Sequence, residues 1–179
     1  MGLFFICSGL YGLATRCDGL QMDALRTKPP WIVKIPPPIW MFAMLLVAYA
    51  MQRSFAWAAI VYFSSLPLAT LLIAAGIFLA AWGRATFAAA GTEIIPASAT
   101  NKKLVTIGPF RFTRNPMYLG VSVLTLGIAL YAGTLPFFAI PILLFLLCNF
   151  VFIPFEEAKM QRQFCDQYTD YLRRVRRWI

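Results

Sequence analysis

Four apolar blocks, separated by polar or basic segments, constrain this chain more than any other feature. They comprise residues 39–51, 55–83, 117–133 and 135–155. A helix needs about 20 apolar residues to cross a bilayer, and a backbone in hydrocarbon must satisfy its hydrogen bonds internally. Hydrophobic residues make up 60% of the 179 residues and charged residues 13%, against roughly 45–50% and 25% in soluble domains. The sequence therefore predicts an all-α integral membrane protein.

The distribution of basic residues predicts how these blocks cross the membrane. The segment between the second and third blocks and the tail after the fourth are rich in Lys and Arg, whereas the turn at Gly133 is uncharged. Because basic loops stay in the cytoplasm, we expect about four transmembrane helices with both termini cytoplasmic, and favour a bacterial inner membrane over the endoplasmic reticulum. The apolar stretch 2–15 leaves a fifth crossing open, so the role of residues 1–36 is undecided. Pro67 is expected to kink the second block.

The tail after the fourth block, residues 156–179, repeats apolar side chains at spacings of three and four, which predicts an amphipathic helix. The apolar face comprises Met160, Phe164, Tyr168, Tyr171, Val175 and Trp178. We expect this helix to lie in the headgroup layer, with Trp178 as an interfacial anchor. The domain of residues 37–179 thus consists of a transmembrane core, residues 39–155, and a cytoplasmic tail helix.

The composition excludes several classes of chemistry. The chain has no histidine, which excludes Ser-His-Asp and Cys-His catalytic units and ordinary zinc hydrolase sites. Its four cysteines are scattered without a CxxC spacing, so we expect four unpaired thiols and no metal site. In a membrane protein, the net charge of +9 indicates orientation and contact with anionic lipid rather than with nucleic acid.

Two clusters at the predicted cytoplasmic boundary carry the candidates for chemistry. In the first, residues 104–120, Asn115 is expected to be the N-cap of the third block, and Pro116 lies in its first turn. Such a helix start suits an anionic group. The second is the pair Glu156-Glu157, which can hold an ammonium group, although carboxylates at a helix start are also favoured structurally. Since both clusters lie at one depth, we expect a shared site for a zwitterionic cofactor and an apolar substrate.

The residues from Gly108 to Gly120 resemble the signature G-[PV]-[FY]-x₃-R-[HN]-P-x-Y-x-G of integral-membrane methyltransferases. These include isoprenylcysteine carboxyl methyltransferases and phospholipid N-methyltransferases. The acidic pair and the aromatic residues after it resemble the family's EE-x₆-[FG]-x-x-Y-x-x-Y ending, and the resemblance covers roughly residues 31–179. Asn115 replaces the histidine of the carboxyl methyltransferase branch, and this form is more similar to the phospholipid branch. The resemblance implies a methyltransferase that uses S-adenosylmethionine as its cofactor.

The resemblance also implies which residues contact that cofactor. They are Lys103, Leu104, Val105, Phe110, Asn115, Tyr118, Glu156 and Glu157. Tyr118, Glu157 and Arg114 are the candidates for catalytic roles. One glutamate would hold the ammonium group of the cofactor, and Arg114 or the helix start would hold its carboxylate. The other glutamate or Tyr118 would take a proton from an amine or thiol acceptor.

The expected activity is methyl transfer at the cytoplasmic membrane face, with the lipid bilayer and a lipophilic or small-molecule acceptor as partners. The acceptor is a lipid amine, a prenyl-cysteine-like carboxylate or a small thiol. A non-catalytic scaffold or small transport subunit is the alternative, but it leaves the acidic pair unexplained, and a transporter should carry ionisable residues within its spans. A CDP-alcohol phosphotransferase would need a run of metal-binding aspartates, which the sequence lacks.

Overall fold

The computed structural model describes residues 31–91 and 103–179, and the regular structure of these two ranges is helical. Within them, six α-helices are α1 (Trp31–Lys34), α2 (Pro37–Ser54), α3 (Leu66–Ala89), α4 (Pro116–Ala132), α5 (Leu135–Leu147) and α6 (Ile153–Arg174). Two 3₁₀ turns lie at Ala56–Ala59 and Gly108–Arg111. The described residues form no β-strand, so the predicted all-α class is confirmed for them. The expectations for residues 1–30 lie outside the described residues.

The most extensive helix contact, between α3 and α4, depends on glycines. A Cβ atom on Gly76 would lie 2.5 Å from the backbone nitrogen of Leu124, and one on Gly120 would lie 2.7 Å from that of Ala80. A residue without a Cβ lets two helix backbones approach this closely. The N-terminus of α4 is thereby held at a fixed distance from the last turns of α3.

α4 and α5 form the predicted antiparallel hairpin. Gly133 ends α4 with a φ of 70°, in the left-handed region that favours glycine. Its N–H donates to the carbonyl of Ala129 at 2.8 Å. α2 packs along α5, where Ala48, Phe137 and Ile140 belong to one buried cluster.

The second apolar block is helical over only part of its length. Residues 55–65 form a 3₁₀ turn and an extended segment, and the N–H groups of Tyr62 and Phe63 donate to the carbonyl of Gly133. The prediction that Pro67 kinks a long helix is therefore wrong. Pro67 lies in the first turn of α3, where its missing N–H costs no helical hydrogen bond.

A π-helical turn at Cys148–Phe152 joins α5 to α6. The chain from Leu135 to Arg174 consequently runs on as one helix, and the expectation that the acidic pair stands at a free helix start is wrong. Pro154 has no N–H to donate, and a local π turn accommodates such a residue inside a long apolar helix. The turn also changes which way the following side chains point.

The tail helix has a backbone break at Cys165, whose φ and ψ are 45° and −113°. The part of the helix after this residue therefore takes a different direction from the part before it. Cys165 is disulfide-bonded, so the expectation of four unpaired thiols is wrong. Cys148 is free and buried.

In the ranges 31–91 and 103–179, two helical stretches are long and apolar enough to cross a membrane, Leu66–Ala89 and Leu135–Arg174, and the apolar helix Pro116–Ala132 is shorter. Large apolar side chains point outward from α3, where Leu71 is 64% exposed and Phe78 is 66% exposed. A helix face of this kind is suited to contact with lipid. The four-crossing topology and the position of the tail helix in the headgroup layer stay predictions.

Candidate functional site

The 3₁₀ turn before α4 supplies one wall of the site. Gly108 begins it with a φ of 62°, a backbone conformation that favours glycine. Phe110 is buried and packs edge-on against Phe87 of α3, with ring centroids 4.8 Å apart. The hydroxyl of Tyr171 donates to the carbonyl of Phe110 at 2.7 Å. The turn is therefore held between α3 and the tail helix.

The predicted apolar face of the tail helix turns toward the protein at its distal end. Tyr168, Tyr171 and Val175 are buried together, and Leu104 from the segment before α4 packs against them. The rings of Tyr168 and Tyr171 lie 6.1 Å apart. These side chains form the second wall of the site.

The start of α4 carries Asn115, which occupies the N-cap position but does not cap the helix with its side chain. Its amide nitrogen Nδ2 donates instead to the carbonyl of Arg177 at 3.0 Å. The backbone N–H of Asn115 donates to the hydroxyl of Thr113 at 3.2 Å, and that hydroxyl donates to the same carbonyl at 3.2 Å. The prediction that Asn115 is the N-cap residue is correct for its position. It is wrong for the side chain, because the carbonyl of Arg177 is a competing hydrogen-bond acceptor.

Tyr118 and Glu156 join the two clusters that the sequence singled out. The Tyr118 hydroxyl donates to Oε1 of Glu156 at 2.6 Å. Tyr118 is 9% exposed and its ring packs against Phe152 of the π turn. Within the described residues, Glu156 forms no ion pair. Its carboxylate is therefore contacted by the Tyr118 hydroxyl and by no guanidinium of the described residues.

Glu157, in contrast, is bound by two arginines. Nη2 of Arg114 lies 2.9 Å from Oε1 of Glu157. Arg177 contacts both carboxylate oxygens, with Nε at 3.2 Å from Oε1 and Nη2 against Oε2. The three side chains together carry one net positive charge. Nε of Arg114 is buried without a hydrogen-bond partner, so this arginine retains an unused donor.

A strap formed by residues 175–178 crosses the site after the tail helix ends. The backbone N–H of Arg114 donates to the carbonyl of Arg176 at 3.0 Å. The indole nitrogen of Trp178 donates to Oδ1 of Asn149 in the π turn at 3.1 Å, and its ring lies 4.7 Å from that of Phe145. The strap thus connects the start of α4 with the π turn.

All nine residues that the sequence assigned to the site line a single cavity of about 80 Å³. These are Lys103, Leu104, Val105, Phe110, Arg114, Asn115, Tyr118, Glu156 and Glu157. The cavity joins a charged floor to walls of aromatic and aliphatic side chains. Among the described residues, no group of three or more acidic or cysteine side chains could hold a metal ion.

Six further residues line this cavity that were not assigned to the site from the sequence. They are Phe87, Pro116, Met117, Met160, Tyr168 and Tyr171. Tyr168 and Tyr171 belong to the aromatic spacing of the tail and could have been found from it. Phe87 lies at the end of an apolar helix, where no sequence signal separates it from a lipid-facing residue.

The comparison with family models gives a match over more than half of the chain. A model described as phospholipid methyltransferase matches residues 64–167. That range holds α3, α4, α5, the π turn and both glutamates. Comparisons with curated proteins and with solved structures give no match.

Proposed function

The chain belongs to the phospholipid methyltransferase family, and on that premise we propose that it transfers a methyl group from S-adenosylmethionine to the amine of a membrane phospholipid. The reaction takes place at the cytoplasmic membrane face, and residues 37–179 form the enzymatic domain. The observation that carries the proposal is the cavity in which Glu156, which no arginine of the described residues contacts, lies beside the arginine-bound Glu157.

The side chains of the cavity fit a zwitterionic sulfonium cofactor. Glu156 is the acceptor for its ammonium group, since no arginine of the described residues contacts this carboxylate. Arg114 suits its carboxylate, because one donor of the guanidinium is buried and unused. The faces of Phe110 and Tyr168 suit the adenine ring and the sulfonium charge.

The cavity volume of about 80 Å³ is below the roughly 300–1,000 Å³ of most small-molecule pockets. Binding therefore requires some wall residues to move. Met117 and Met160 line the cavity, and their flexible, unbranched side chains can change rotamer at low cost. Phe110, which is held from both sides, is expected to stay in place.

When bound, S-adenosylmethionine supplies a methyl group already activated by the sulfonium. The protein must then align the amine with that carbon and exclude water, which is chiefly a task of positioning. A lipid amine must also lose a proton before it can attack. The hydroxyl of Tyr118 is the proton acceptor in this proposal, and it can pass its own proton to Oε1 of Glu156, to which it donates at 2.6 Å.

Binding of S-adenosylmethionine by the purified protein in detergent tests the proposed cavity. We expect Glu156→Gln and Tyr118→Phe to weaken binding by about tenfold or more, since each removes a charged hydrogen bond. Arg173→Met is the matched control, because Arg173 is exposed on the same helix. Isothermal titration calorimetry gives the affinities. Wild-type affinity in both site variants would remove the cavity as the cofactor site.

The methyl acceptor is tested by incubating membranes that contain the protein with cofactor labelled in its methyl group. We expect label in the phospholipid fraction, as N-methylated headgroup, and none without the protein. Label in protein or in small thiols would assign a different acceptor. No transfer and no cofactor binding by a folded sample would favour a non-catalytic scaffold.

A further inference from the structure

We propose that Arg177 is a positioning residue for methyl transfer, which acts through Glu157 and couples the strap to the cofactor cavity. The inference rests on the proposed function, since it assumes that the cavity binds S-adenosylmethionine. Arg177 is absent from the residues that line the cavity, so it influences the reaction only through a residue that does.

The contact between Arg177 and Glu157 has the geometry of a clamp. Arg177 binds both oxygens of the carboxylate through two nitrogens of its planar guanidinium, which fixes the orientation of the carboxylate as well as its position. Arg114 reaches the same carboxylate from the start of α4. Glu157 therefore holds two cations of its own chain and is not available to bind the ammonium of a ligand.

Two functions of the acidic pair are separated by this arrangement. The carboxylate of Glu156, which no arginine of the described residues contacts, forms the cation-binding end of the cavity. The arginine-bound Glu157, with a net charge of one positive unit over the three side chains, forms the anion-binding end. Without Arg177 that end becomes neutral, and the cavity loses its preference for the direction in which a zwitterion binds.

Hydrogen bonds of Arg177 and of its neighbour Trp178 hold the strap in place. The backbone carbonyl of Arg177 accepts hydrogen bonds from Thr113 and Asn115. The neighbouring Trp178 is bound to Asn149 of the π turn. The start of α4 and the π turn thus fix the strap, and Nη1 of Arg177 also donates to Oδ1 of Asn149 at 3.5 Å, so its guanidinium is held at Glu157.

Steady-state kinetics of wild type, Arg177→Met, Arg177→Lys and the control Arg173→Met test this role. We expect Arg177→Met to raise the KM for S-adenosylmethionine about tenfold to hundredfold, the range of a lost charged hydrogen bond, with kcat and the KM for the lipid within about threefold. Arg177→Lys keeps the charge without the planar fork and should recover part of the loss. Arg173→Met, which removes the same charge from an exposed position, should behave as wild type.

A double variant tests whether Arg177 acts through Glu157. If Arg177 acts through Glu157, Glu157→Gln with Arg177→Met should raise the KM no further than the larger single effect, because the two changes remove one interaction. An unchanged KM in Arg177→Met, an equal change in Arg173→Met, or additive effects in the double variant would each overturn the inference. A wild-type protein that neither binds cofactor nor transfers methyl would instead overturn the proposed function.

Discussion

Replacement of Gly120 by alanine should separate α3 from α4. The added Cβ would lie 2.7 Å from the backbone nitrogen of Ala80 and 2.7 Å from the carbonyl oxygen of Gly76. Both neighbours are backbone atoms and cannot change rotamer. Since an ordinary Cβ contact begins at 3.4 Å, the helices must move apart by about 0.7 Å.

The cost of this movement can be worked from known packing energies. Overpacking of a well-packed interior costs about 1–3 kcal/mol, while alanine gains up to about 1 kcal/mol over glycine in helix propensity. Because the new methyl group meets backbone atoms, the upper part of that range applies, about 2–3 kcal/mol, and the net destabilisation is about 1–2 kcal/mol. The shift also moves Phe87 of α3 away from Phe110, its partner across the cavity, and a misplacement approaching 1 Å can lower a rate by about 100-fold.

Thermal unfolding in detergent, followed by tryptophan fluorescence, measures the loss of stability. The rate of methyl transfer measures the effect of moving Phe87 away from Phe110. Gly83→Ala is the matched control on the same interface. Its Cβ would meet Cγ of Met117 at 3.0 Å and Cγ of Pro116 at 3.3 Å, which are side-chain atoms at longer distances than the backbone contacts of Gly120, so a smaller movement is enough. We expect Gly120→Ala to lower the unfolding midpoint by about 2–8 °C and Gly83→Ala to leave it unchanged or raise it.

Equal midpoints for Gly120→Ala and wild type would refute the reasoning, because the backbone contact would then carry no constraint. An equally large loss in Gly83→Ala would also refute it, since the argument depends on which kind of atom the new methyl group meets. Loss of methyl transfer without loss of stability would place the effect of Gly120 in the cavity alone.

Three further predictions concern the strap, the tail and the topology. Tyr171→Phe loses the hydrogen bond to the Phe110 carbonyl, and we expect thermal unfolding to show a loss of about 1 kcal/mol; an unchanged midpoint contradicts this. Trp178→Phe keeps an aromatic ring but loses the hydrogen bond to Asn149, so added S-adenosylmethionine should stabilise this variant less than wild type in a thermal-shift assay. Equal stabilisation of both proteins would show that the hydrogen bond is dispensable. A reporter enzyme that is active only outside the cytoplasm should give signal when fused after Gly133 and none when fused at the C-terminus, and the reverse pattern would contradict the proposed orientation.

The sequence was sufficient to predict the all-α class of the described residues and the hairpin of α4 and α5, because their signals are local. Apolar length and the charge-free turn at Gly133 predict the hairpin of α4 and α5, and Pro116 marks the start of α4. Proline gives a more ambiguous signal, since it either kinks a helix or begins one. Pro67 begins α3 because residues 60–65 are extended and the N–H groups of Tyr62 and Phe63 find acceptors at the distant Gly133.

The position of the site residues was predictable, but their contacts were not. Membrane depth alone placed Tyr118 and Glu156 at one level, and they share a hydrogen bond. The different environments of Glu156 and Glu157 depend on Arg177, which is 20 residues away in sequence. No periodic pattern in the sequence predicts the contact between Arg177 and Glu157. This contact depends on the backbone break at Cys165 and on the return of the strap to the start of α4.

The number of residues in the π turn at Cys148–Phe152 determines in which direction the side chains of Glu156 and Glu157 point. Each residue of an α-helix advances the side-chain direction by about 100°, so deletion of one residue in this turn would rotate Glu156 and Glu157 by that angle relative to α5. Tyr118, on the neighbouring helix, would keep its place. A one-codon deletion or insertion between the hairpin and the acidic pair would consequently inactivate the protein while leaving every cavity-lining side chain present in the sequence.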